Sequence, residues 1–171
     1  ARRWRSAMNA GKIEIIPFAP QYADAVVAVI LPIQQSEFEI PITLELQPDL
    51  LDIPAYYQRG TGNFWIALFN GEVVGTVALA DIGANQAALR KMFVKAAYRG
   101  ASHGVATSLL ETLLQCCRTR QVQEIYLGTT AKFLAAHRFY EKNQFSEIAR
   151  NKLPPGFSVM AVDTKFYCRT L

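Results

Sequence analysis

Two short stretches of the chain carry residue types that can act together on a ligand. The first is Arg99-Gly100-Ala101-Ser102-His103-Gly104-Val105-Ala106, which a run of apolar residues ending at Phe93-Val94 enters and an amphipathic segment leaves. A loop that opens a helix presents unpaired N–H groups and the positive end of the helix dipole, so an anion can dock there. The small residues Gly100, Ala101, Gly104 and Ala106 let the backbone come close to a phosphate, and Arg99 adds a fork of charge-assisted donors. The same glycine-containing turn also occurs in proteins that bind nothing at it. No Gly-Lys-Ser/Thr follows, so this is not a Walker loop. The strands before it read as a meander, which does not fit a dinucleotide fingerprint.

The second stretch is Leu127-Gly128-Thr129-Thr130, followed by residues 131–145 with Phe133, Ala136, His137 and Tyr140 at helical spacing. These four share one face, where a phenol and an imidazole stand beside a small alanine. A phenol in that setting can donate a proton to a leaving group, and it can equally be a half-buried structural tyrosine. Glu37 and Glu39 are carboxylates able to accept a proton, or else solvated charges. Cys117 falls on a buried stripe, and neither Cys116 nor Cys117 has a neighbouring base that would make it a nucleophile. His103 reads as a solvated loop residue sooner than as a phosphate contact, and flanking an acceptor is the lesser of the readings open to His137. Two isolated histidines offer no metal-ligand spacing, so no metal is expected.

The elements that must position these residues follow from pattern. A strand is expected near Lys12 to Ile16, then a helix opening at Pro20 and disturbed at Pro32. Pro is favoured in a first helical turn. Residues 33–57 are irregular, with Pro41, Pro48 and Pro54 and short helical pieces. Phe64 to Phe69 and Val73 to Leu79 are apolar runs around Asn70-Gly71, a strong hairpin signal. A turn at Gly83 to Gln86 leads to a third strand, Leu89 to Val94. Gly104 to Arg118 is helical, with Ala106, Leu109, Leu110, Leu113, Leu114 and Cys117 on one stripe. A strand at Glu124 to Leu127, a helix at Ala131 to Lys142 and strands near Phe145 to Ala149 and Val159 to Tyr167 complete the order. This is an α+β arrangement, a mostly antiparallel sheet with helices on its faces.

In the resulting order both stretches resemble motifs of the GNAT acetyltransferases. The loop is similar to the acetyl-CoA pyrophosphate loop, Arg/Gln-x-x-Gly-x-Gly/Ala, with Gly104-Val105-Ala106 as its end and Arg99-Gly100 two residues early, so that it is lengthened. The run Ala136-x-x-Phe139-Tyr140-Glu141-Lys142-x-x-Phe145 looks like the Ala-x-x-Phe-Tyr-Glu-Lys-x-Gly-Phe signature of that family, with Gln144 in place of glycine and Phe133 where an asparagine often stands. The resemblance covers about Asn63 to Tyr167 and implies a single GNAT domain over residues 1–171. Acetyl-CoA is then the co-substrate and a primary amine the acceptor.

The resemblance further implies roles. Residues 99–106 would hold the pyrophosphate, with the backbone of Phe93 and Val94 along the pantetheine arm and Thr129, Phe133 and Ala136 beside it. Tyr140 would be the general acid that protonates the departing thiolate, and an N–H near Val94 would take the oxyanion. Relatives often use a glutamate on the fourth strand as base. Ala87-Ala88-Leu89-Arg90-Lys91-Met92 contains none, which leaves Glu37 and Glu39 as the candidate bases, Glu37 first, and residues 33–57 as the acceptor pocket. A non-catalytic acyl-CoA sensor is the alternative.

Bulk properties set the outer limits. The chain has 171 residues, enough for one domain with a sizeable core. Its net charge of +4 suits an anionic ligand, and no dense basic face of the kind nucleic acid needs is present. The one basic cluster, Arg2, Arg3 and Arg5 around Trp4, precedes Met8, and residues 1–11 are expected to be flexible or added sequence. No apolar run is long enough for a membrane span. Three cysteines without a C-x-x-C pair suit a reducing, cytoplasmic setting. A small-molecule amine, a peptide N-terminus or a lysine all remain open as acceptor, as does a homodimer.

Overall fold

The computed structural model describes residues 11–171; the basic cluster and Met8 lie outside the described residues. Seven strands form one sheet in the order β1-β2-β3-β4-β5-β7-β6. They are β1 (Ile13–Pro17), β2 (Asn63–Phe69), β3 (Glu72–Gly83), β4 (Gln86–Val94), β5 (Glu124–Thr129), β6 (Ser146–Ile148) and β7 (Lys165–Thr170). The helices are α1 (Ala23–Pro32), α2 (Pro48–Leu51), α3 (Ile53–Tyr57), α4 (Val105–Thr119) and α5 (Leu134–Lys142).

The meander forms where the turn residues require it. Asn70 and Gly71 both take positive φ, at 51° and 81°, and Ala84 and Asn85 do the same at 53° and 58°. Two-residue turns with both φ positive match the twist of the strands they join. β4 and β5 are the one parallel neighbour pair, since α4 crosses between them. Their register covers only Gln86–Ala88 against Glu124–Tyr126. Beyond that point the two strands part, and residues 89–94 face 127–130 without pairing.

Side chains alternate across the sheet with the strand period of two. Trp65, Ala67, Leu89, Leu127 and Tyr167 go to one face with Leu109, Leu110, Leu113 and Leu114 of α4 and with Tyr140 of α5. Phe64, Ile66, Leu68 and Ala78 go to the other with Val26, Val29 and Ile30 of α1. That second face continues through Ala80 to Ala88, Tyr126, Phe157 and Phe166. The expected stripe of α4 is buried as written, except that Ala106 stays half-exposed and Val105 takes the core place.

Several boundaries differ from the sequence expectation, whereas the disturbance expected at Pro32 is present as a widening of the helix. The chain continues from it into a wider turn over Ile33–Glu37, in which the Phe38 N–H reaches Ile33 O at 3.1 Å. α5 begins at Leu134 instead of Ala131, because Thr164 Oγ1 accepts the Ala131 N–H and the Phe133 N–H turns back to Thr130 O. The last strand begins at Lys165 instead of near Val159. Residues 160–163 close a turn in which the Asp163 N–H meets Met160 O and Asp163 Oδ2 accepts the Met160 N–H at 2.9 Å.

Candidate active site

The gap between β4 and β5 opens into a cavity of about 960 Å³. Because the strands part, the cavity is lined from both faces of the sheet. On one side stand Gly104, Ala106, Thr107 and Ser108 at the start of α4, then Thr129, Ala136 and Tyr140. On the other stand Gln34, Ile40, Ile42, Arg90, Phe157, Met160 and Asp163. The two stretches singled out in the sequence, 36 residues apart at Gly104 and Tyr140, thus meet in one space.

The start of α4 is built to accept an anion. Gly104 caps it at φ 61°, a left-handed conformation glycine adopts without cost from a Cβ, and no side chain caps the first turn. The amides of Val105, Ala106 and Thr107 precede the first intrahelical donor, that of Ser108 to Gly104 O at 2.9 Å, so they are free for an outside acceptor. Gly100, Ala101, Gly104 and Ala106 line the cavity. Ser102 and His103 do not. His103 packs edge-on to Phe69 and Tyr98 at 5.7 and 5.3 Å, so it is a packed residue and not the solvated one the sequence suggested. Val105 does not line the cavity either, and its side chain is core.

Arg99 lines the cavity and is also held by the chain itself. Its Nε donates to Val94 O at 2.8 Å, and both terminal nitrogens grip Glu37, one of them at 2.7 Å. Three of its five N–H donors thereby pin the lengthened loop to the end of β4 and to the turn after α1. Glu37 is in consequence a poor proton acceptor: its hydrogen bond from Arg99 holds the carboxyl below the usual carboxylate range, and it does not line the cavity. The general-base role expected of Glu37 is corrected on that ground. Glu39 does not line the cavity either; its backbone oxygen accepts Lys132 Nζ at 3.2 Å.

Phe133 sits at the entrance to α5, edge-on to Phe38 at 4.6 Å and to Phe93 at 6.1 Å. These three rings wall the cavity where an asparagine would have offered a hydrogen bond. His137 is buried, with Nε2 3.0 Å from Thr130 O, and does not line the cavity. It braces the turn before α5 instead of flanking an acceptor. Tyr140 is 5% exposed, packed against Phe139, Phe145 and Tyr167. Burial alone raises its phenol above the ordinary tyrosine value, so it is held in the protonated form.

Three polar residues of the cavity escape sequence reasoning, two of them on β4. The register of β4 slips by one residue against β3 between Thr76 and Ala78, and Lys91 takes φ 52° there, with Thr76 Oγ1 donating to Lys91 O at 2.7 Å. Such a bulge re-aims the side chains around it. Lys91 Nζ lies 3.5 Å from Asp49 and donates to Gln47 Oε1, and burial lowers its pKa against the pull of Asp49. Gln47 is itself paired with Gln34 through reciprocal amide bonds of 2.9 and 3.0 Å. Arg90 donates to Ser158 O at 2.6 Å and lies 5.3 Å over the Phe157 ring. Asp163 is the single carboxylate lining the cavity among the described residues, and desolvation raises its pKa, opposed by Arg90, Lys91 and Arg150. Gly128 makes room for it, since a Cβ there would stand 2.6 Å from Asp163 Oδ2.

Comparison with known proteins agrees with this geometry. The model of the acetyltransferase (GNAT) family matches residues 28–145, more than half of the chain. This chain belongs to the GNAT acetyltransferase family. It is 39% identical to an acetyltransferase of the GNAT family from Staphylococcus aureus Mu50, over 92% of this chain and 98% of that one, with a TM-score of 0.89. An acetyltransferase from Streptococcus agalactiae is 32% identical, covering 93% and 98%, with a TM-score of 0.88. Among curated proteins, the N-acetylaspartate synthetase of Xenopus tropicalis is 34% identical over 126 residues, 71% of this chain and 46% of that protein. The GNAT chain thus spans less than half the length of that relative. Among its described residues no cluster suited to a metal is found, and no helix is long and apolar enough to cross a membrane.

Proposed function

We propose that this GNAT domain transfers an acetyl group from acetyl-CoA to a primary amine. The observation that carries this reading is that the uncapped start of α4 and the buried phenol of Tyr140 line the same cavity. When bound, acetyl-CoA supplies the acetyl group as a thioester. The amides of Val105, Ala106 and Thr107 hold its pyrophosphate, aided by the small residues Gly100, Ala101 and Gly104. The unpaired edge of β4 at Phe93 and Val94 runs along its arm, and Thr129, Phe133 and Ala136 wall the other side.

Asp163 takes the proton the amine must lose before it can attack, a task for which a raised carboxyl pKa is an advantage. A backbone N–H near Val94 stabilises the charge that develops on the carbonyl oxygen. Tyr140 then gives its proton to the sulfur that leaves and recovers one from solvent, while the second proton of the attacking nitrogen passes to solvent as the amide forms, which balances the exchange. Three free cysteines support action in the reducing cytoplasm.

The test is calorimetric titration with acetyl-CoA and with CoA, followed by thiol release across a panel of amines in which amino acids come first, as the name of the N-acetylaspartate synthetases suggests. Micromolar binding and amine-dependent thiol release that Tyr140→Phe suppresses are expected. Folded protein that binds neither nucleotide would sink the proposal.

A further inference from the structure

We propose that the acceptor is an amine that also carries a carboxylate, and that Arg90 is the residue that binds that carboxylate. The proposal rests on the acetyl-transfer reading for the identity of the cavity, and on separate observations for the acceptor.

The cavity has two ends of different chemistry. Its half on the α4 and α5 face holds the helix start and Tyr140. Its half on the opposite face is lined by apolar Ile40, Ile42, Phe157 and Met160, with a few convergent polar groups among them. That is the usual make-up of a small-molecule pocket, where the polar groups fix orientation. On the bulged part of β4 the cations Arg90 and Lys91 stand side by side, Lys132 is tied to Phe38 O and Glu39 O, and the anion is Asp163.

The two cations are not equivalent. Lys91 is engaged with Asp49 and Gln47, and Asp49 also accepts the Tyr57 hydroxyl at 2.5 Å. Its charge is answered within the protein. Arg90 makes no ion pair of 4.0 Å or less with any described carboxylate. One terminal nitrogen is tied to Ser158 O, and the group is steadied over the Phe157 ring. The arginine is thus held in place from below while the rest of its donor fork makes no close ion pair with a described carboxylate, and its charge reaches Asp163 only at longer range. A guanidinium at the wall of a largely apolar pocket gains from an anion that meets it. A carboxylate matches the planar fork and accepts two hydrogen bonds from it.

Asp163 supplies the complementary end. Its Oδ2 is committed to the Met160 N–H, and Gly128 lets the carboxyl lie against β5 where the strands part. An acceptor with its carboxylate on Arg90 and its amine toward Asp163 would span the half of the cavity opposite Tyr140. An amine without a carboxylate would leave Arg90 unanswered, and a polyamine would meet two cations.

The experiment compares glycine, L-alanine and L-aspartate with glycinamide, alaninamide and aspartic diamide, at saturating acetyl-CoA. The carboxamides have less basic amines, which are neutral more often and so intrinsically more reactive. A preference for carboxylates would therefore run against intrinsic reactivity. The expected result is kcat/KM at least about 10-fold higher for the carboxylates, with Arg90→Gln removing that preference through KM, by about 30-fold for the best carboxylate, while acetyl-CoA affinity stays within about twofold. Arg90→Lys keeps the charge without the fork and is expected to recover part of the loss. Carboxamides turned over as well as carboxylates, or a preference that survives in a folded Arg90→Gln protein, would overturn the proposal. Calorimetry of the same amino acids with CoA-loaded protein separates it from the transfer reading. Carboxylate binding that Arg90→Gln abolishes, without any turnover, would uphold the Arg90 site and remove the transfer reading. Amine turnover with no carboxylate preference would do the reverse.

Discussion

Replacing Tyr140 by Phe removes one oxygen atom from the centre of the proposed chemistry and little else. The ring is 5% exposed and keeps its neighbours Phe139, Phe145 and Tyr167, with centroids 5.9, 5.6 and 6.1 Å away. Burial is the one cause that raises the phenol pKa, so no charged partner is left stranded by the change. Folding stability should therefore move by no more than about 0.5 kcal/mol, since neither a cavity nor an unpaired group is created. Turnover has much more to lose. A positioned proton donor contributes about 10²–10⁴ in rate, or roughly 3–5 kcal/mol of barrier. The assay is steady-state thiol release with a good acceptor, paired with acetyl-CoA titration and a thermal melt. Turnover is expected to fall by about 100-fold or more, with unchanged melting and an acetyl-CoA affinity within about threefold. The pH dependence gives an independent check. A phenol raised above its ordinary value of about 10 stays protonated at pH 10, so the wild-type rate should show no tyrosine-dependent decline below that pH. If Tyr140→Phe turned over at a third of the wild-type rate, the general-acid assignment would be refuted however well the geometry suits it.

Other perturbations test the remaining assignments. Asp163→Asn should lower kcat/KM by about 10²–10⁴ and remove the acidic limb of the pH profile, which in the wild type should lie above the usual carboxylate range because desolvation raises that pKa; an unchanged acidic limb would exclude Asp163 as base. Glu37→Gln should leave turnover within about threefold, measured by the same assay. Its ion pair with Arg99 is about one-third exposed on each side, so it is worth no more than about 1 kcal/mol and the melting temperature should drop by no more than roughly 4 °C. The Glu37 carboxyl has a folded pKa below its unfolded one. Its contribution is therefore present above the unfolded pKa and lost as pH falls through the folded one, so the two melting curves should converge as pH falls below the usual carboxylate range. Gly128→Ala would place a Cβ 2.6 Å from Asp163 Oδ2 and push the carboxyl away from β5, so kcat should fall with little change in acetyl-CoA affinity; unchanged kinetics would show that Asp163 need not lie there.

What the sequence determined by itself was local. Asn70-Gly71 dictates a turn because both residues tolerate positive φ, and the apolar stripe of α4 dictates which side of that helix is buried. The loop at Gly104 and the helix carrying Tyr140 were legible because each is a contiguous run whose small and aromatic residues recur at fixed spacing. What only the tertiary structure decided was which of these residues meet, and what else meets them. Glu37 reads in the sequence as a free acid, yet Arg99, 62 residues away, takes it up. Asp163 falls inside an expected strand, and it is the turn over residues 160–163 that places it in the cavity. The role of Arg90 depends on a one-residue slip of β4 against β3, which no propensity of Arg90-Lys91 foretells. Above all, β4 and β5 pair for three residues and then part. That parting is a property of the whole sheet and its crossover, so no local pattern encodes it, and it is what turns two separate motifs into one cavity.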